Sequence, residues 1–283
     1  MNSIISSKLD LREREKHIVH EPGMPILYVN HLNVKYGEVL ALDDIHFELN
    51  PSDRLAVVGP NGAGKSTLFK AITGLLKPTS GTIEIAGHEP HGHLCISYIP
   101  QRSLVDWNFP VTVANVVMMG RTGRLGLLRW PAASDREIVR HALSVVNLTS
   151  LASRQIGQLS GGQQQRMFIA QALAQHAELM LMDEPFSGLD GPSQEELFKI
   201  LDNLKMENVT VMVALHDLKL ASERFDKALV LNHKQLAFGS PAQVFREEIL
   251  QTAYSGKLQM LPSNEGMTAF DDTCCGEEEQ HHV

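Results

Sequence analysis

Two glycine-containing runs have the residue types that bind a phosphate group. The first, Gly59-Pro60-Asn61-Gly62-Ala63-Gly64-Lys65-Ser66, follows the pattern GxxxxGK[ST] and lies between a predicted strand and a predicted helix. Its backbone N–H groups can surround phosphate oxygens, the Lys65 ammonium supplies positive charge, and the Ser66 hydroxyl can bind Mg²⁺. The pattern therefore predicts a site for the phosphates of a nucleotide.

The second run is Leu159-Ser160-Gly161-Gly162-Gln163-Gln164-Gln165-Arg166. Its two glycines leave backbone N–H groups open to an anion, and Ser160 adds a hydroxyl donor. We predict Ser160 as the N-cap of a helix and Gln163 as its capping-box partner. The positive end of that helix favours a phosphate, although taken alone the run also fits an ordinary loop that opens a helix.

A third motif could supply the chemistry of hydrolysis. The apolar residues 179–182 predict a buried strand that ends in Asp183 and Glu184. Asp183 can hold Mg²⁺ directly or through water, and Glu184 is placed to orient or deprotonate an attacking water. Two acids after a strand are common in isolation, but downstream of a phosphate-binding loop they favour a nucleotide hydrolase.

Alternating strands and helices must position these motifs. Apolar runs predict strands at 54–58, 82–87, 95–99, 179–182, 210–215, 228–231 and 235–238. Helices are predicted after the phosphate loop through Leu76, over most of 112–154, from the Ser160 region to about 175, and from Ser193. The alternation predicts an α/β fold with a mainly parallel sheet, and the alternating apolar residues of 26–49 predict an antiparallel piece beside it.

Composition narrows the class of protein. The 283 residues are 20% charged and 43% hydrophobic, and no apolar run reaches the roughly 18–20 residues that span a bilayer. Five of the eight net negative charges lie in residues 271–283. The charge of the remaining residues is therefore nearly balanced, without the positive excess that is typical of a nucleic-acid-binding surface. The first residues do not resemble a secretory signal. Three cysteines (Cys95, Cys274 and Cys275) indicate a reducing cytoplasm rather than a disulfide framework.

The order and spacing of the motifs resemble those of the ATP-binding subunits of ABC transporters, and the resemblance runs from about 26 to 261. It implies a P-loop NTPase fold with a RecA-like core, an antiparallel β subdomain and an α-helical subdomain at about 102–165. We therefore expect a polar N-terminal extension at 1–24 and an ABC ATPase domain at 25–262. An acidic tail at 263–283 is predicted to be disordered.

The resemblance also implies roles for single residues. Tyr36 resembles the aromatic that stacks on adenine, Gln101 the glutamine that senses Mg²⁺ and the membrane partner, and His216 the histidine that contacts the γ-phosphate. The expected catalytic residues are Glu184, His216 and Gln101. The expected nucleotide-binding residues are Tyr36, Gly59, Pro60, Asn61, Gly62, Ala63, Gly64, Lys65, Ser66, Thr67, Ser160, Gly161, Gly162, Gln163 and Asp190. The expected ligands of the Mg²⁺ that accompanies ATP are Ser66, Gln101 and Asp183.

The resemblance implies partners as well. In this family the Ser160 run of one chain closes over the phosphates bound by another, so we expect a head-to-tail dimer. We also expect integral membrane permease subunits, an indirect metal-binding substrate-binding protein, no nucleic acid, and a peripheral location at the cytoplasmic face of the plasma membrane.

The segment after Gln101 is the best sequence indication of cargo. It reads VDWNFPVTV over 105–113, and together with Gln155-Ile156-Gly157-Gln158 and Glu184-Pro185-Phe186 it is similar to manganese, zinc and iron importers. We expect manganese, with zinc or iron as alternatives. The aromatic loop could instead pack only on its own subdomain.

Other functions remain open at this point. The nearest alternative is an importer of a siderophore, haem or cobalamin. A non-transport ABC ATPase of translation or DNA repair is disfavoured, because there is one phosphate loop and the 94 residues between Lys65 and Ser160 contain no sustained heptads. A metal-binding regulator would leave the catalytic motifs unexplained.

The C-terminal tail offers soft ligands for a metal. Cys274, Cys275, His281 and His282 suit Zn²⁺ or Cu⁺, although a solvated tail explains them equally. The histidines His88, His91 and His93 near Cys95 favour a surface turn between strands.

Overall fold

A single long sheet organises the protein. The computed structural model describes residues 23–90, 95–101, 105–125, 130–254, 258–263 and 266–271. The strands of the sheet are β1 (Leu27–Tyr36), β2 (Val39–Leu49), β3 (Arg54–Val58), β4 (Ser80–Ile85), β5 (Ile96–Ile99), β6 (Leu179–Asp183), β7 (Thr210–Leu215), β8 (Lys227–Asn232) and β9 (Lys234–Gly239). Within the described ranges their spatial order is β4-β1-β2-β9-β8-β3-β7-β6-β5.

The centre of the sheet is parallel. β3 pairs in parallel with β7 and β8, and β6 pairs in parallel with β5 and β7. Every residue of β6 and β7 is buried, as expected for strands with helices on both faces. The predicted α/β fold with a mainly parallel core is confirmed.

An antiparallel part extends one side of the sheet. β1 pairs antiparallel with both β2 and β4, as the alternating apolar residues predicted. Asp43 joins this part to the core, because its N–H donates to His233 O at 2.8 Å and its carboxylate pairs with Lys234 Nζ at 2.9 Å. The apolar residues of β1, β2 and β4 form a second core with α1.

Helices follow the strands that carry the motifs. They are α1 (Lys65–Ile72), α2 (Val113–Met119), α3 (Thr122–Leu125), α4 (Ala133–Val145), α5 (Gly161–Ala174), α6 (Gly191–Met206), α7 (Leu218–Arg224), α8 (Pro241–Val244) and α9 (Glu247–Ala253), with 3₁₀ turns at Thr149–Leu151 and Ile156–Gln158.

Two predicted helix boundaries were wrong. α1 ends at Ile72 rather than at Leu76, because Gly74 adopts a left-handed φ of 72° just after the Thr73 C-cap. α6 begins at Gly191 rather than at Ser193, because Asp190 is already the N-cap. In both cases the local capping residue, rather than the apolar pattern, sets the end.

A buried ion pair fixes the far end of α5. Arg121 Nε lies 3.0 Å from Asp135 Oδ1, and Arg121 Nη1 donates to Ala174 O at 2.9 Å. Burial alone would raise the pKa of Asp135, but the Ala132 N–H and the Arg121 guanidinium outweigh burial and lower this pKa below its ordinary value. The pair therefore ties α4 and the α2–α3 turn to the helix that follows the Ser160 run.

A hairpin of β10 (Leu258–Ser263) and β11 (Gly266–Asp271) lies at the C-terminal end of the described residues. β11 falls within the range 263–283, for which disorder stays a prediction. Cys274, Cys275, His281, His282, His91 and His93 lie outside the described residues.

Among the residues that the structure covers, no helix has both the length and the apolar character needed to cross a bilayer.

Candidate functional site

The phosphate-binding loop links β3 to α1. Gly64 is the N-cap of α1 with a φ of 100°, a conformation that favours glycine. A Cβ at Gly64 would lie 2.7 Å from Leu42 Cδ2 and 2.8 Å from Ala41 O. Conformation and space both require glycine here, so the loop keeps its N–H groups open to a ligand.

Lys65 places a positive charge in this loop. Its side chain is buried, and its Nζ donates to Gly59 O at 2.6 Å and to Pro60 O at 3.0 Å. Ser66 and Thr67 follow in the first turn of α1, which contains no acidic residue. A phosphate at this helix end would meet the ammonium, the hydroxyls and the backbone N–H groups of the first turn.

Asp183 ends β6 as a buried carboxylate. Tyr98 on the neighbouring strand β5 donates its hydroxyl to Asp183 Oδ2 at 3.3 Å. Burial, followed by the negative charge of Asp183, raises the pKa of Tyr98 to about 12, so the hydroxyl remains a donor. Tyr98 was not among the predicted site residues; its signal is a hydroxyl near the end of the short strand β5.

The three predicted catalytic residues meet at one carboxylate. Gln101 Nε2 donates to Glu184 Oε2 at 3.0 Å, and His216 Nε2 contacts the other oxygen, Oε1. Glu184 has a left-handed φ of 51°, which is uncommon for a residue with a side chain and typical of functional positions. The turn directs this carboxylate to the edge of the sheet where β5, β6 and β7 end.

The Ser160 run opens α5 as predicted. Ser160 Oγ accepts the Gln163 N–H at 3.4 Å, and Gln163 Oε1 accepts the Ser160 N–H at 3.0 Å, so the predicted capping box is confirmed. A Cβ at Gly162 would lie 3.0 Å from Ser193 Oγ. The start of α5 therefore packs closely against the start of α6.

Asp190 caps α6 next to this contact. Its Oδ1 accepts the Ser193 N–H at 3.1 Å, and hydrogen bonding from Ser193 lowers the pKa of Asp190. Asp190 and the glycines of the Ser160 run therefore lie on adjoining helix ends.

Tyr36 ends β1 with 49% of its surface exposed, so its ring can stack on a flat ligand.

Two aromatic residues follow Gln101 along the chain. Trp107 packs edge-on against Phe168 at 5.8 Å between ring centroids, whereas Phe109 is 57% exposed. Trp107 thus packs on the helical subdomain, whereas Phe109 is exposed.

The chain is similar to known transport proteins. Residues 42–187 match the family described as ABC transporter. The manganese transport system ATP-binding protein of Bacillus subtilis is 44% identical over 234 residues, which cover 82% of this chain and 94% of that protein. The zinc transport system ATP-binding protein of Treponema pallidum is 42% identical over 231 residues, with 81% and 87% covered. A solved inward-facing ABC transporter of metal-chelate type has a TM-score of 0.74 and 31% identity, with 87% of this chain and 96% of that chain covered.

Proposed function

Because this chain belongs to the ABC transporter family as an ATP-hydrolysing subunit, we propose that it drives the import of a divalent transition metal, with manganese first. The observation that supports manganese as the cargo is the 44% identity with a manganese transport ATP-binding protein over 94% of that relative's length. Zinc follows as the next candidate, because a zinc transport relative is 42% identical.

The phosphates of ATP would lie on the loop before α1. Lys65 Nζ, now held by two loop carbonyls, would turn to the phosphate oxygens, and the first-turn N–H groups would donate to them. Tyr36 would stack on adenine. The residues Gly59 to Thr67 would thus provide the cradle, its positive charge and its hydroxyl groups.

The oxygen ligands of the site fit Mg²⁺, which prefers carboxylate, hydroxyl and amide oxygens. Ser66, Asp183 and Gln101 would hold it, and the Tyr98 hydroxyl fixes the Asp183 carboxylate for that task. When bound, the ion would neutralise charge on the phosphates.

Glu184 would act as the general base. The water oxygen would bond to the γ-phosphorus, the bond from that phosphorus to the ADP oxygen would break, and the water proton would pass to Glu184. Gln101 and His216 each contact one of its two oxygens, and each oxygen keeps a second lone pair that can accept the water proton. His216 would then contact the γ-phosphate.

A second copy would complete each site. The start of α5, with Ser160, Gly161, Gly162 and Gln163, would close over the phosphates of the partner copy in a head-to-tail dimer, with Asp190 at the same interface. Permease subunits would carry the cargo across the membrane, place this chain at its cytoplasmic face, and receive the metal from a binding protein.

Metal uptake in cells tests the cargo. We expect deletion of the gene to abolish uptake of radiolabelled manganese at submicromolar supply, and expect the wild-type gene, but not its Glu184→Gln variant, to restore it. Unchanged manganese and zinc uptake, with loss of a chelated iron substrate instead, would refute the cargo and leave the ATPase assignment intact. That outcome is the second candidate, and the similarity to a metal-chelate type transporter is the observation in its favour.

A further inference from the structure

A cavity of about 400 Å³ lies beside the catalytic carboxylate. Gly161 and Gln165 of α5 form one wall, and Trp107, Glu184 and Ser187 contribute to the others. The cavity therefore adjoins the place where hydrolysis would occur, but its donors come from the start of α5 rather than from the phosphate loop.

Gln165 is the unusual member of this wall. Only 7% of the residue is exposed, and its Nε2 is buried without a hydrogen-bond partner in the described part of the chain. The adjacent buried Gln164 differs, because its Nε2 donates to Ile156 O at 3.4 Å. A buried donor without an acceptor is costly, so the Gln165 amide points to an acceptor that binds in this cavity.

The backbone of α5 adds further donors. Gly161 and Gln165 are four residues apart and share a helix face, and side chains of a helix lean toward its N-terminus. The N–H groups of Gln163 and Gln164 already donate to Ser160, whereas those of Gly161 and Gly162 belong to the open first turn. Gly161, Gln165 and Ser187 thus line one cavity at the positive end of a 14-residue helix.

We propose that this cavity is a binding site for the inorganic phosphate produced by hydrolysis, in the same chain that cleaved the ATP. The proposal rests on the proposed function. Glu184 lies on the cavity wall and would hold the proton taken from water, so the newly formed phosphate would face a neutral carboxyl that can donate to it. Among the described residues that line the cavity there is no Lys or Arg, so these residues offer the phosphate no charge-assisted hydrogen bond from a cationic side chain.

Calorimetric titration of sodium phosphate into the full-length chain, saturated with ADP and Mg²⁺, tests the site directly. We expect Gln165→Leu to weaken phosphate binding at least fivefold, and Gln165→Glu to weaken it further because a carboxylate repels the anion. The matched control is Gln171→Leu, on the same helix but away from the cavity, and it should bind phosphate as the wild type does. If Gln165→Leu fails to fold, Gln165→Glu carries the test, with circular dichroism confirming the fold of each variant.

Three results would overturn the proposal. The first is absence of phosphate binding in a wild type that hydrolyses ATP, which leaves the proposed function standing; absence of hydrolysis would instead refute that function. The second is equal binding in wild type and both Gln165 variants, together with loss in His216→Ala, which would place the phosphate in the nucleotide site. The third is unchanged phosphate binding in Gln165→Leu with loss of ATP-driven dimerisation, which would assign the amide to the γ-phosphate of the partner copy.

Discussion

Two glycines of the phosphate loop differ in one respect that a pair of alanine variants can isolate. Gly62 has a φ of 80° and nothing within 4 Å of an added Cβ, whereas Gly64 has a φ of 100° and two atoms within 3 Å of one. Gly62→Ala therefore introduces only the backbone strain of a left-handed residue, about 1–2 kcal/mol. Gly64→Ala adds overpacking against Leu42 and Ala41, typically about 1–3 kcal/mol, for a total of about 2–5 kcal/mol.

Urea unfolding and ATP binding measure the two consequences. At a slope of about 3 kcal/mol per molar urea, the unfolding midpoint of Gly64→Ala should lie about 0.3–1 M below that of Gly62→Ala. ATP affinity, followed with a fluorescent analogue, should fall further in Gly64→Ala, because the shift acts directly at the residue before Lys65. Equal midpoints and equal affinities would refute the argument that space around Gly64, rather than its backbone conformation alone, demands glycine.

The remaining predictions concern the buried ion pair and a buried thiol. Asp135→Ala leaves the Arg121 guanidinium without its carboxylate and should lower the free energy of unfolding by about 3–5 kcal/mol, whereas Glu195→Ala, which breaks an exposed ion pair, should cost about 0–1 kcal/mol. The pKa of Asp135 is lowered in the folded protein, so the difference in unfolding free energy between the two variants should be complete above the ordinary aspartate pKa of about 3.9. It should shrink as the pH falls through the folded pKa. Equal urea midpoints for both variants at pH 7 would contradict this prediction. Burial, reinforced by the negative charge of Glu178, raises the pKa of Cys95 to about 11. In a variant whose two tail cysteines are replaced by serine, the Cys95 thiol should react with a disulfide reagent at pH 8 on the order of 100-fold more slowly than a thiol at its ordinary pKa. A rate equal to that of free cysteine would show that the thiol is accessible and ionises normally.

The motifs of the site could be predicted because each rests on local chemistry. The glycine pattern before Lys65 predicted a loop between a strand and a helix, and the apolar run before Asp183 predicted a buried strand; the structure contains both. The Ser160–Gln163 capping box could be predicted for the same reason, since both partners lie within four residues.

Contacts between distant segments could not be predicted from the sequence. The hydrogen bond from Tyr98 to Asp183 joins residues 85 apart, and the contact between His216 and Glu184 joins residues 32 apart. Whether a glutamine amide has a hydrogen-bond partner depends on the groups that surround it in the fold. Gln165 Nε2 has no partner in the described residues, whereas Nε2 of the adjacent Gln164 donates to Ile156 O. The predictions of two helix ends were wrong because a residue at the end of the helix, Gly74 or Asp190, outweighed the apolar pattern.

In the proposed mechanism Glu184 activates the water that cleaves ATP in a closed dimer. The Glu184→Gln variant isolates this role, because it keeps the volume of the side chain and removes its basicity. We expect ATP turnover to fall by at least about 100-fold, the lower end of the usual contribution of a general base, and an ATP-bound dimer to accumulate in size-exclusion chromatography. The exposed Glu207→Gln should behave as the wild type. Near-normal turnover in Glu184→Gln, without accumulation of a dimer, would contradict the assignment.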